Sequence, residues 1–473
     1  MSREIVVGLE THVELSTKTK IFCSCTTKFG GEPNTQCCQI CTGQPGSLPV
    51  LNKRAVELAV MAGLALNCRI NNHSVMARKH YTYPDLPKAY QISQSDKPLC
   101  EDGSMQLSDD KAINIERIHI EEDAGKLIHT QGAMLIDCNR GGVPLIEIVT
   151  APDFRSAEEA VLYLEKLQSI LRAVNVSDCR MQEGSLRCDV NISLRPKGSD
   201  TLGTRVEIKN LNSFVSVAAA IEYEYERQMD ILDSDGVVEQ ETRSFSADTG
   251  ETVRLRGKEN ADDYRYFADP DIGDVYVSDD EIERLRKLLP ELPDKKFERY
   301  VNELSLTSAD AKLLTKYSKV SEYFEATCAL VKEPKTVASI MIMQMFALIT
   351  TEIERENWSP KTSPEQLGEL IKLMESGKLS RNLAKRVLGQ MLETGKNAED
   401  FISADDLSGL SQEALGKFCK EIIVREQKTV ADYLNGKEKA IKALVGAVMR
   451  ETKGRANAIE AEELLKKFIM HNS

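Results

Sequence analysis

Tryptophan occurs once and histidine only six times in the 473 residues. No HExxH stretch is present, and with so few imidazoles a zinc hydrolase built on His12 and nearby acids is disfavoured. There is no GxxxxGK[ST] stretch, which excludes a P-loop, and the protein-kinase signatures are absent as well. No apolar run reaches the ~18 residues that a membrane-spanning helix needs. The opening MSREIVVGLE runs from a short apolar stretch straight into charge, without a signal-peptide pattern, so a cytoplasmic protein is expected. Fixed-period repeats and low-complexity tracts are absent. An excess of positive charge is lacking too: 61 Lys/Arg face 74 Asp/Glu, for a net −13. Gln412 to Ser473 is the exception, with 12 basic against 9 acidic residues. An acidic body with a mildly basic tail is compatible with RNA touching the tail.

What is present is enough for two or three domains. Residues 1 to about 293 mix short alternating strands (EIVVGLETHVEL, GVPLIEIVT, GSLRCDVNISLRP, TRVEIKNL) with Gly/Pro/Asn turns and a few helices. Without regular βαβ alternation, that texture predicts an α+β domain. The clearest helix is SAEEAVLYLEKLQSILRAV. Ser156 and Glu159 form a capping box there, and Val161, Leu164, Leu167, Leu171 and Val174 share one stripe. Beyond a linker at Pro290 and Pro293 everything reads as helix, including KTVASIMIMQMFALITTEIEREN, apolar enough to be buried in a bundle.

The strands carry the chemistry. Read with period two, Ile5, Val7, Leu9, Thr11 and Val13 take one face of the first strand, leaving Val6, Gly8, Glu10, His12 and Glu14 on the other. Arg187, Asp189, Asn191 and Ser193 similarly oppose an apolar face, and Glu207 lies between Val206 and Ile208. Glu147 sits inside the apolar run PLIEIV, where an ionised carboxylate is costly unless it is paired or metal-bound. Glu121, Glu122 and Asp123 follow the strand-like INIERIHI. If these strands are neighbours, Glu10, His12, Glu122, Glu147, Asp189 and Glu207 converge into an oxygen-rich cluster that needs cations, and Mg²⁺ suits it. Phosphate partners are on hand in Arg78, Lys79 and Lys88, interleaved with Tyr81, Tyr83 and Tyr90, and in Arg254, Arg256, Lys258 and Arg265.

Five of the twelve cysteines crowd into residues 23 to 41. Cys23-x-Cys25 and Cys38-x-x-Cys41 make a zinc pattern, although Cys37 competes for a place in it. Four sulfurs would close the site, making it structural and not catalytic.

Taken together, GLETHVEL, the cysteine pairs followed by GQPGSLPVLN, RKHYTYPDLPKAYQISQ, HIEEDAGKL, NRGGVPLIEIV, EGSLRCDVNISLRP, VEIKNLNSF and KENADDYRYF resemble the B subunits of the glutamyl/aspartyl-tRNA amidotransferases, the GatB family. The likeness continues through KLSRNLAKRVLGQMLETG, YLNGKEKAIKALVGAVM and TKGRAN, nearly the whole chain. It implies a mixed or antiparallel-sheet cradle domain (1–293), an all-α helical domain (294–405) and a small helical YqeY-like tail (406–473). It also implies work in a heterotrimer whose other members are an amidase, the A-type chain, and a small C-type chain. ATP and Mg²⁺ would activate the side-chain carboxylate of Glu-tRNA(Gln) or Asp-tRNA(Asn), and ammonia from glutamine would then form the amide. The family's metal ligands fall on Glu10, His12, Glu122, Glu147, Asp189 and Glu207, its zinc ligands, where present, on Cys23, Cys25, Cys38 and Cys41. Lys453 and Arg455 of TKGRAN look like a tRNA-phosphate loop. The chain departs from the family at His80, Thr82 and Ala268, and in ASIMIMQMFALI, which lacks the usual Asn-Trp pair. The competing reading is a non-catalytic tRNA-binding scaffold for an amidase.

Overall fold

The computed structural model describes residues 2–108, 110–257, 264–349, 351–403, 412–452 and 456–471. The chain divides into two compact units, Met1–Leu292 and Pro293–Ser473.

The first unit is built on a nine-stranded sheet. Its strands are β1 (Arg3–Glu14), β2 (Arg69–Ile70), β3 (Cys100–Ser108), β4 (Lys111–Glu122), β5 (Pro144–Thr150), β6 (Leu186–Pro196), β7 (Val206–Leu211), β8 (Glu241–Ser246) and β9 (Glu251–Gly257). Their spatial order is β9-β8-β7-β6-β1-β5-β4-β3-β2. Neighbours run antiparallel except β7 and β8, which are parallel. A parallel pair needs a long crossover, and the helix Phe214–Asp233 supplies it.

Strand alternation decides what each face carries. On β1, Val7, Leu9, Thr11 and Val13 are at most 1% exposed. Val7, Leu9 and Val13 join one core with Leu58 and Ala62 of α1 (Lys53–Ala65), Leu164 and Leu167 of α2 (Ala157–Ala173), and Val217 and Ile221 of α3 (Phe214–Asp233). Each fully buried Leu, Ile or Val contributes about 1.5–3 kcal/mol relative to exposure, which holds the three helices to this side and leaves the other side for polar groups. In α2, Ser156 caps as expected, accepting from Glu159 N. The returning half of the box differs: the Glu159 carboxylate accepts from Arg155 N, at 2.7 Å, one residue before the cap. Leu164, Leu167, Leu171 and Val174 are buried, while Val161 is only half-buried.

The second unit is helical and has two separate cores. One gathers Tyr300, Phe324, Met341, Trp358, Leu370 and Val387; the other gathers Leu415, Cys419, Ile422, Leu444, Val448 and Leu465. The long helix expected after Lys335 is broken. Pro334–Ile340 gives way to a π turn at Met341–Met345, a 3₁₀ turn at Phe346–Leu348 and extended backbone at Ile349. The wider turn seats Met341, Met345 and Phe346 all in the core, where Phe346 and Tyr323 meet the Trp358 ring edge-on. Thr351 and Glu354 then form a capping box that starts a separate helix, Glu352–Glu356. Among the described residues no helix is long and apolar enough to cross a membrane.

Candidate active site

β1 runs between β6 and β5, so register determines which polar side chains meet. Glu10 faces Asp189 on β6, and His12 faces Glu147 on β5. Glu147 in turn faces His119 on β4. All of these share the parity that points away from α1, α2 and α3. Two groups of donors result. His12, Glu121 and Glu147 each offer one ligand atom within 4.8 Å of the others, and Glu10, Asp189 and Glu207 do the same.

In the first group His12 Nε2 lies 3.2 Å from Glu121 Oε1 and 3.6 Å from Glu147 Oε2. His119 Nε2 approaches the same carboxylates, at 3.1 Å from Glu147 and 3.8 Å from Glu121. In the second, Lys209 Nζ bridges Asp189 Oδ2 at 2.5 Å and Glu207 Oε1 at 2.9 Å. Thr242 Oγ1 donates to Glu207 Oε2 at 2.8 Å, and Asn191 Nδ2 donates to Glu10 Oε1 at 2.9 Å.

Burial works against a charged imidazole, but the hydrogen-bonded Glu121 and then Glu147 outweigh it and hold His12 protonated up to about 9. His119 is held up to about 9 by the same two carboxylates, again against burial. Burial pushes Glu121 up, yet His119 and His12 together bring its carboxyl well below the usual range. Glu10 moves up, first through burial and then through the nearby Glu147 charge. Lys209, despite burial, is raised by Asp189 and Glu207. Carboxylates outnumber the positive groups that face them here. Mostly oxygen donors, with an imidazole in one of the two groups, suit a hard divalent cation of the Mg²⁺ class, so the residues present fit such an ion.

One expectation is corrected. Glu122 does not join the cluster, and Glu121 stands where it was expected. The reason is a bulge: the β5 register jumps from Val149–Arg117 to Thr150–Ile115, leaving Glu116 unpaired. Ile113 and Ile115 are buried before it and Ile118 and Ile120 after it, so parity flips. Glu122 then shares the core face, where its Oε2 accepts from Lys88 Nζ and its Oε1 from Ile92 N, both at 2.8 Å. The switch from odd to even isoleucines was the signal available in the sequence. His119 and Lys209, also unassigned from the sequence, follow from the same face rule.

The basic residues divide. Lys88 is spent on Glu122 and covers the Phe22 ring at 4.3 Å. Arg78 is held by Asp269 at 2.9 Å and Asp271 at 2.5 Å and stacks over Tyr90. Lys79 remains beside the site, 4.8 Å from the Tyr264 ring centre. Burial opposes its charge, but Tyr266 and Glu121 raise its pKa. Tyr81 packs edge-on to Tyr264. Arg265 is exposed with φ +44°. Lys258, Lys453 and Arg455 lie outside the described residues.

At the N-terminal end of the unit, Cys23, Cys25, Cys38 and Cys41 place their sulfurs within 4.8 Å of one another. Cys41 Sγ is 3.6 Å from Cys23 Sγ and 3.8 Å from Cys38 Sγ, and a tetrahedron of Zn–S bonds of about 2.3 Å requires sulfurs about 3.8 Å apart. Cys37 instead donates to Asn34 O. The fully buried Lys20 donates to Cys41 Sγ at 3.4 Å and Cys138 O at 3.0 Å, placing positive charge beside the cluster. This group can hold a metal such as zinc. Titration with a mercurial in the presence of a zinc-sensitive dye is expected to release roughly one zinc per chain. Cys38→Ser should lose it and Cys37→Ser keep it.

The family model described as the GatB/GatE catalytic domain matches residues 5–283, and the one described as the GatB domain matches residues 322–469. Curated relatives agree over the whole length. The aspartyl/glutamyl-tRNA(Asn/Gln) amidotransferase B subunit of Caldicellulosiruptor saccharolyticus is 52% identical over 474 residues, covering 98% of this chain and 99% of the relative. The protein of the same name in Thermoanaerobacter pseudethanolicus is 51% identical, with the same coverage. That of Clostridium botulinum (strain Okra) is 50% identical, covering 97% of each chain. The α+β sheet unit, the helical unit and these matches agree: the chain belongs to the GatB family, the B subunits of the aspartyl/glutamyl-tRNA(Asn/Gln) amidotransferases.

Proposed function

We propose that this chain uses ATP to phosphorylate the side-chain carboxylate of Glu carried by tRNA(Gln), of Asp carried by tRNA(Asn), or of both, and that ammonia then replaces the phosphate. The observation that carries this reading is the pair of donor triads lying side by side on one polar sheet face.

A carboxylate is a poor electrophile because its charge repels nucleophiles. One of its oxygens attacks the γ-phosphorus of ATP, and the bond from that phosphorus to the bridging oxygen breaks, releasing ADP. The ammonia lone pair then attacks the acyl carbon, phosphate leaves with the bonding pair, and the nitrogen loses its extra protons to give the amide. The substrate supplies its own nucleophile, so no Ser, Cys or Lys nucleophile is required of the protein. Mg²⁺ at His12, Glu121 and Glu147, and at Glu10, Asp189 and Glu207, would neutralise charge on the phosphates. The chain's own residues position and balance. His119 steadies Glu147 and Glu121, Lys209 steadies Asp189 and Glu207, and Lys79 adds positive charge beside them. The A-type amidase chain would supply the ammonia from glutamine, with the small C-type chain completing the heterotrimer. The basic tail, with Lys453 and Arg455, would hold tRNA phosphates, and the protein would work in the cytoplasm.

The test is an acid-quenched reaction of the assembled complex with γ-labelled ATP and Glu-tRNA(Gln), without glutamine. Label is expected on the aminoacyl-tRNA with the wild type and not with Asp189→Asn, while tRNA binding survives. Labelling untouched by that substitution would remove Asp189 from the site. Amidation that proceeds without ATP consumption would favour the scaffold reading.

A further inference from the structure

Lysine is rarely buried outright, because its long stem usually carries the ammonium out to water. Lys20 breaks that habit and is 0% exposed. The chain on either side keeps it in place. Thr19 bridges to Thr26, Lys20 N donates to Cys25 O at 3.0 Å, and Ile21 and Phe22 are buried. Among the described residues Nζ has two acceptors, Cys41 Sγ at 3.4 Å and Cys138 O at 3.0 Å, and no carboxylate within ion-pair distance. Asp137, beside Cys138 in the chain, turns its carboxylate to Asn34 N and Asn139 N, each at 3.0 Å.

An ammonium taken out of water is strongly destabilising unless an anion replaces the lost hydration. The Cys138 carbonyl is a dipole and carries no net charge, so the balancing anion has to be sulfur. Four neutral thiols would leave the ammonium without one. Four thiolates around a divalent ion carry two negative charges in excess, and a cation against one of the sulfurs offsets half of that. The sulfur spacing and the buried lysine therefore point to the same state, with Cys23, Cys25, Cys38 and Cys41 all as thiolates on a metal.

We propose that Lys20 is the counter-charge of the cysteine centre, acting through Cys41, and that it ties metal occupancy to the local fold. The inference rests on the centre holding a divalent metal of the zinc class. With the metal in place the ammonium faces an anionic sulfur. Its contact with Cys138 O then fastens the centre to residues 137–139, which also hold Asn34 and Gln36. Without the metal the ammonium is stranded among neutral groups, and the segment around the cysteines opens more readily. Lys20 is a positioning residue and not a fifth ligand, since an ammonium has no lone pair to give.

The sign of a substitution then depends on the metal. Lys20→Met keeps most of the stem without the charge, and Lys20→Gln keeps an N–H donor without the charge. Both are introduced into the assembled complex and checked by circular dichroism. Competition with a zinc-sensitive chelating dye is expected to show zinc held about ten- to a hundredfold more weakly in each. In complex stripped of metal, hydrogen exchange over residues 17–44, followed by mass spectrometry, should be slower in Lys20→Met than in wild type. No stranded charge remains there to favour opening. Wild-type zinc affinity in Lys20→Met would reduce Lys20 to packing and overturn the proposal. Affinity kept in Lys20→Gln alone would assign the contact to hydrogen bonding and overturn the counter-charge. Exchange in the stripped complex that is unchanged or faster in Lys20→Met would show that no charge is stranded, with the same consequence. A wild-type complex that takes up no zinc would sink the metal reading, and this inference with it, while leaving the phosphorylation reading intact.

Discussion

Glu121→Gln is expected to lower the rate of label transfer from ATP to the aminoacyl-tRNA by about 10²–10³-fold, the usual loss when one preorganised electrostatic group is removed. Glu121 is 3% exposed and lies between two imidazoles, which hold it ionised as a donor of the first triad. The amide keeps the shape but not the charge, so the triad's affinity for a divalent cation should fall with the rate, and raising Mg²⁺ should recover part of the activity. Single-turnover rates measured across a Mg²⁺ series check this. A Glu121→Gln enzyme with wild-type rate and Mg²⁺ dependence would remove Glu121 from the site.

Glu122→Gln, one residue along, should behave in the opposite way. Its carboxylate has almost no exposure and is joined to Lys88, whose side chain is 8% exposed. Burial pushes Glu122 up, and Lys88 Nζ pulls it back toward the charged form. Removing one partner of a buried ion pair leaves the other uncompensated, which costs about 3–5 kcal/mol. The glutamine still accepts from Ile92 N, so the loss reports the missing charge. The combined Glu122→Leu and Lys88→Met variant should regain most of the stability, because neither charge is then stranded. Urea midpoints of the wild type, Glu122→Leu, Lys88→Met and the double variant settle the matter, and additive losses in the double variant would refute the pairing.

The contrast between these neighbours shows where sequence reading stops. Alternation on β1 and β6 correctly separated Val7, Leu9 and Val13 from Glu10 and His12, and Val190 and Ile192 from Asp189 and Asn191. It works because side-chain direction in a strand depends only on parity. The bulge at Glu116 breaks parity through a partner strand, β5, which lies far along the chain. Arg78 and Lys88 illustrate the same limit. Each reads as a phosphate partner, and each is occupied by a carboxylate distant in sequence, Asp269 and Glu122 respectively.

By itself, then, the sequence determined the α+β class, the polar strand face, a cysteine cluster with zinc-like spacing and the helical second half, because all of these follow from local periodicity and spacing, whereas the choice of four sulfurs over Cys37 came from the tertiary structure. Only the tertiary structure decided that β1 lies between β5 and β6. It also divided the donors into two triads, placed His119 and Lys209 among them, and buried Lys20 against the cysteine cluster. Those outcomes depend on strand register and on burial summed over the whole sheet, which no short stretch of chain encodes.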